Sequence, residues 1–389
     1  VRAIYILLIF IVPFSGICLD LYVPSLPFIT DYFHVQPALA QWTLSLFLLG
    51  LGSAQCVIGV LSDRIGRRRL LLAGLFASVV CAWGAASAAS ITALLCWRFC
   101  QGVAAGAPAV LSRAIVADTF SGKQLAYASN GLAMAWGVGV IVAPSLGGYL
   151  QHYFSWHASF YVMGGWGLLL FICAARYLPE TLVVAPRYRL AGLFSGVGEV
   201  LFDYRFLCLV AMLMMGYAYL VFFHVTAPFL VQHTLGYSAV TYGQVAMGLG
   251  AAWFLGSLLN LWGLRFYTNR QILPINTVAL LGVSVLFLGI AFYLPLSLWS
   301  VAVPTFFIFA LASHVFTNVF PLVFGLFPQR AGLCSALMGS LMMLSVGLIS
   351  LLAGFFHLNN QQPIAIVYVV LSLLMVIGFR CVRRRLGAE

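Results

Sequence analysis

Read for polarity alone, the chain falls into long apolar runs separated by short polar breaks. The runs cover about 3–30, 38–61, 70–89, 91–114, 124–150 and 157–178. After a more polar interval they resume over 205–232, 239–263, 271–293, 296–319, 331–356 and 363–381. A helix rises 1.5 Å per residue, so roughly 20 apolar residues cross the hydrocarbon core of a bilayer. Each run is about that long. None alternates over about ten residues, as the strands of a membrane barrel would. The pattern predicts an all-α membrane protein with twelve transmembrane helices.

The interval 179–204, "PETLVVAPRYRLAGLFSGVGEVLFDY", divides the runs six and six. We expect a six-helix bundle over 1–178, a cytoplasmic linker over 179–204 and a second bundle over 205–389. The halves also repeat in sequence. "DLYVP" (Asp20, Pro24) precedes "HVTAP" (His224, Pro228) by 204 residues, and Gly59 precedes Gly263 by the same offset. "SNGLAM" and "SALMGS" align at 206, as do "GGYL" and "AGFF". Parallel six-helix repeats predict two pseudo-symmetric bundles rocking around a central cavity. No G-x-x-x-x-G-K-[ST] segment is present, so the energy has to come from an ion or substrate gradient rather than that type of nucleotide engine.

Composition removes the soluble alternative. Hydrophobic residues make up 63% and charged residues 7%, against roughly 25% charged in an ordinary soluble domain. The net charge of +11 is explained by where the cations fall. Arg64, Arg67, Arg68 and Arg69 follow helix 2, Lys123 follows helix 4, Arg187 and Arg189 occupy the central interval, and Arg205 borders it. Arg265 and Arg270 follow helix 8, Arg330 helix 10, and Arg383 to Arg385 helix 12. The opposite loops, around His34, Ser90, His152, Gln232, Leu294 and Asn360, contain no Lys or Arg. The positive-inside rule then places both termini in the cytoplasm and calls for no nucleic-acid partner. The first run is too long for a signal peptide, carries Asp20 and leads straight into another run, so it reads as helix 1. The nine cysteines form no C-x-x-C, and Cys96 and Cys100 have no nearby His or acid, so no metal site or cofactor is expected.

Three segments carry a family resemblance. "GVLSDRIGRRRL" (59–70) makes a tight turn through Gly59 and Gly66, with Asp63 placed to face a helix N-terminus and arginines at the anionic leaflet. It resembles the loop signature G-x-L-x-D-R-x-G-R-[RK]-x-x-L of the major facilitator superfamily. "RFCQGVAAG" (98–106) resembles that superfamily's helix 4 motif. "GVGVIVAPSLGGYL" (137–150) resembles its helix 5 antiporter motif through Gly139, Pro144, Gly147 and Gly148, with Ala143 replacing the usual Gly. With "DLYVPSLP", "SWHASFYV" and "YLPETL", these resemble the drug:proton antiporters of the bicyclomycin/chloramphenicol-resistance type; His157 stands where that pattern has Arg. The resemblance implies a cytoplasmic gate: Asp63 facing the start of helix 11 near Gly332, Arg67 paired with Asp118, and Arg64, Gly59 and Gly66 shaping the turn.

Charged side chains inside a span usually face a cavity or a partner. Asp20 and Arg98 both lie about 10 Å from the outer surface, at 1.5 Å per residue, so a Coulomb pair is expected. Either the pair is permanent and structural, or Asp20 exchanges a proton whenever the pair opens. His224, at the repeat position of Asp20, and His314 are the other titratable groups within spans. Both histidines, with Gln101, Asn318, Tyr22, Tyr217, Phe223 and Met338, are candidate lining for a substrate cavity, and Asn318, four residues after His314, shares its helix face and that lining. Arg113, about 22 Å beyond Arg98 along the helix, belongs to the cytoplasmic gate.

The expected function is a monomeric, proton-coupled exporter of small amphipathic compounds in the bacterial inner membrane, working by alternating access and not an enzyme. A siderophore or metabolite transporter in either direction, and a non-transporting membrane sensor, are the other readings.

Overall fold

The computed structural model describes residues 2–182, 196–327, 331–356 and 359–386. Arg187, Arg189 and Arg330 lie outside the described residues, as do the side chains of Arg270 and Arg383 to Arg385. Twelve helical spans cross from end to end: α1 (Arg2–Phe33), α2 (Pro37–Ile65), α3 (Arg67–Ala86), α4 (Ile91–Thr119), α5 (Gly122–Tyr153) and α6 (Trp156–Tyr177). A short helix, Val197–Leu201, precedes α7 (Tyr204–Thr234), α8 (Ala239–Gly263), α9 (Asn269–Tyr293), α10 (Leu298–Leu326), α11 (Ala331–Ala353) and α12 (Gln362–Leu386). Each predicted run falls on one span, and no strand occurs among the described residues. Several helices outrun their apolar stretch; α2 reaches Ile65 and α4 reaches Thr119. An apolar run measures the hydrocarbon thickness, whereas a helix satisfies its own backbone beyond it.

Proline shapes the first span. The helix is interrupted at Val12–Pro13, resumes over Phe14–Asp20, tightens into a 3-10 turn at Val23–Ser25 and continues over Leu26–Phe33. Proline has no N–H to give and crowds the preceding turn, so it bends a span without ending it where neighbours pack around the break. Span ends are capped in the ordinary way: Ser90 accepts from the Ala93 N–H at 3.2 Å, and Ser238 from Thr241 at 3.1 Å. At the start of α7, partial burial pushes the Asp203 carboxyl up. Hydrogen bonds from the Arg205 side chain and from the Arg205 and Phe206 N–H groups outweigh this and hold it below its ordinary value.

Packing repeats between the halves. α2 on α4, α3 on α4, α3 on α6 and α1 on α5 correspond to α8 on α10, α9 on α10, α9 on α12 and α7 on α11. The halves meet along α2 with α11 and α5 with α8, two seams that a two-fold rotation exchanges. The α5–α8 seam is tight enough to require glycine. A Cβ at Gly148 would meet the Ala239 carbonyl oxygen at 2.5 Å, and one at Gly243 the Pro144 carbonyl oxygen at 2.5 Å.

Candidate functional site

Asp20 ends the second segment of α1, just before the 3-10 turn, and its side chain is fully buried. Its Oδ1 lies 3.0 Å from Nδ1 of His224, on α7 in the other half. That contact needs a proton on Nδ1 when the carboxylate is ionised. The second carboxylate oxygen, Oδ2, is buried and has no hydrogen-bond partner. Tyr217 of α7 and Tyr242 of α8 lie within electrostatic range of the carboxylate, and the Tyr242 hydroxyl is also buried without a partner. The two contacting residues are 204 apart, the offset of the sequence repeat. A residue that touches its own repeat-mate sits on the pseudo-two-fold axis.

The expected Asp20–Arg98 pair is not formed. Arg98 instead donates through Nη1 to the Cys18 carbonyl at 3.0 Å and to Gln101 Oε1 at 2.6 Å. Its guanidinium lies 4.2 Å from the centroid of the Tyr22 ring and 4.4 Å from that of Phe47, with Phe160 at 5.7 Å. The two charges share a depth but not a face. At 3.6 residues per turn, Asp20 is rotated by about 200° from Cys18, so Cys18 meets Arg98 within the first half while Asp20 meets the second. Arg98 Nε and Nη2 remain buried and unpartnered. Tyr22 completes the enclosure, its hydroxyl hydrogen-bonded to Thr43 Oγ1 at 2.9 Å.

Of the other cavity candidates, Gln101 also donates to Met163 Sδ at 3.9 Å, and Phe223 packs against Tyr242 and Phe309. Tyr217, Met338 and Asn318 are buried. The expected shared lining of His314 and Asn318 separates into two arrangements. His314 bonds through Nδ1 to the Ala310 carbonyl of its own helix at 2.6 Å and is half-buried. Asn318 exchanges amide hydrogen bonds with Asn260 of α8 at 2.8 and 3.2 Å, because a carboxamide within a span needs both its donor and its acceptor satisfied.

At the basic end, Arg67 Nε lies 3.0 Å from Asp118 Oδ2, as the resemblance implied. Asp63 pairs with Arg67 at 2.7 Å, four residues on along the chain; the expected facing of Asp63 toward Gly332 lies outside the residues whose contacts are described. Gly66 holds φ at 101°, and a Cβ there would strike the Glu180 carboxylate. Gly59 approaches Val110 without crowding, and Arg64 and Arg113 are exposed. In α5, a Cβ at Gly139 would strike Pro13 and one at Gly147 the Leu21 carbonyl oxygen, so the motif seats α5 against both ends of the Phe14–Asp20 helix. Pro144 supplies the carbonyl that Gly243 approaches.

Sequence reasoning passed over several residues that join the halves. Gln41 Nε2 donates to the Val225 carbonyl at 3.0 Å and Gln232 Nε2 to that of Pro24 at 2.9 Å. Ser45 and Ser350 share a 2.7 Å hydrogen bond, and Trp42 Nε1 donates to the Leu351 carbonyl at 3.3 Å. All lie toward the end away from the basic loops, and the signal was there to use: polar residues recurring near that end of the runs.

A twelve-helix bundle with paired halves and a buried acid–imidazole contact on its axis has the build of a membrane transporter. Residues 8–350 match the Major Facilitator Superfamily, and the chain belongs to that family. It is 30% identical over 384 residues, 95% of this chain and 92% of the relative, to the uncharacterized MFS-type transporter YdgK of Bacillus subtilis. It is 29% identical to a chloramphenicol resistance protein of Pseudomonas aeruginosa, over 96% of this chain and 89% of that one. The fold superposes on a crystal structure of a D-xylose-proton symporter with a TM-score of 0.75 at 15% identity, covering 96% of this chain and 97% of the other.

Proposed function

We propose that this transporter is a proton-coupled antiporter that exports small amphipathic compounds of the kind its drug-resistance relatives are named for, from the cytoplasm across a bacterial inner membrane. The basic end and both termini face the cytoplasm in this reading, from the distribution of Lys and Arg. The conformation described above, knit together at the opposite end, is then the one closed to the outside.

The observation that carries the proposal is the Asp20–His224 contact between the halves. With the outer side closed, the imidazole of His224 holds the Asp20 carboxyl across the halves, and the acid is open only toward the cytoplasm. When the outer side opens, the halves separate there and His224 withdraws. Asp20 then faces the outside without that partner. One exchangeable acid presented to opposite sides in two conformations suffices to couple a proton gradient to the rocking motion.

The test is Asp20→Asn in proteoliposomes under an imposed pH gradient, with radiolabelled chloramphenicol as the first probe. Gradient-driven transport is expected to vanish while substrate-for-substrate exchange, which needs no proton, continues. Undiminished gradient-driven transport rules the reading out.

A further inference from the structure

On the flank of the first half, at the basic end, the start of α1, the α2–α3 turn and the end of α6 border an open cavity of about 800 Å³. Ala3, Ile4, Ile65 and Leu178 give it an apolar floor, and Arg64, Arg68, Arg69 and Arg176 its basic rim. One carboxylate, Glu180, shares the lining, but its charge is already engaged. Its Oε1 accepts from the Arg67 N–H at 2.8 Å and its Oε2 from the Arg68 N–H at 3.2 Å, filling the anion site that the α3 N-terminus offers. The Arg67 side chain is occupied by Asp63 and Asp118, and Arg68 Nη2 by the Ala175 carbonyl at 2.7 Å. Arg64, Arg69 and Arg176 are exposed, and none forms an ion pair among the described residues.

We propose that this cavity binds an anionic glycerophospholipid with two phosphates, of the diphosphatidylglycerol class. Guanidinium grips phosphate through a planar fork, and basic pockets between span ends recognise such headgroups. Three unneutralised guanidiniums exceed what one phosphate can satisfy, whereas two phosphates match them. The apolar floor, continued outward by exposed Tyr177, suits the glycerol and first acyl carbons and has no use for a soluble anion. The proposal rests on the spans lying in a bilayer and is independent of proton coupling.

The test uses the full-length protein in detergent, challenged with an equimolar mixture of diphosphatidylglycerol, phosphatidylglycerol and phosphatidylcholine and read by native mass spectrometry. The wild-type chain should retain diphosphatidylglycerol preferentially, a result that needs no variant. Arg69→Gln with Arg176→Gln should lower that retention roughly tenfold or more, given the strength of each arginine's attraction to anionic lipid. Arg265→Gln with Arg380→Gln removes the same charge from exposed positions on the other half and should leave it unchanged. Equal loss in the control pair, or equal retention of phosphatidylglycerol, overturns the proposal. So does a rise in melting temperature with pyrophosphate as large as with the lipid, which would make this a free-anion site.

Discussion

Arg98 is among the largest fully buried side chains of the protein, and among the described residues no carboxylate forms an ion pair with it. Its charge is met by a carbonyl dipole, a carboxamide and the faces of Tyr22 and Phe47, each of which favours a flat, delocalised cation over a compact one. Arg98→Lys keeps the charge and loses the stack and the fork. We expect it to cost about 1–3 kcal/mol of stability, read as a fall of several degrees in melting temperature, and an unchanged melting temperature would discard the stacking account. The same residue marks what the sequence could not convey. Counting residues gave the depth of Asp20 and Arg98 correctly, because rise per residue is a property of one helix. Which neighbour each face meets belongs to the packing of the spans, and only the 204-residue repeat pointed from Asp20 toward His224.

The spans themselves were legible because lipid admits so few alternatives: a run of that length and polarity has to be a helix. The bends in α1 coincide with Pro13, Pro24 and Pro27, while the seams between spans could not be read from the sequence, since they depend on which small residues face each other. Neighbouring glycines in α5 now divide two tasks. Gly147 lies against the Leu21 carbonyl within its own half, Gly148 against the Ala239 carbonyl of the other. Gly147→Ala should impair folding, seen as a low yield of monodisperse protein. Gly148→Ala should fold but loosen the α5–α8 seam. In a Ser145→Cys background, a membrane-impermeant maleimide applied from outside should label the Gly148→Ala chain several-fold faster than its parent. Equal labelling would show that the seam does not govern closure.

For the whole molecule, alternating access requires the α2–α11 seam to part in each cycle. Ser45 and Ser350 face each other across it, with their hydroxyls 2.7 Å apart, so cysteines in their place lie near disulfide geometry. Oxidising a Ser45→Cys/Ser350→Cys variant should abolish transport, and reductant should restore it; transport by the fully oxidised variant would mean the seam stays shut during turnover. The axial contact carries a further consequence, for how such a chain can arise. In an assembly of two identical halves, the residue on the rotation axis faces a copy of itself. An acid there would face an acid and a histidine a histidine, and either pair, once charged, repels. Asp20 against His224 requires two halves that differ at this position. The coupling proposed here is therefore a product of broken symmetry, inaccessible to a symmetric dimer of six-helix ancestors.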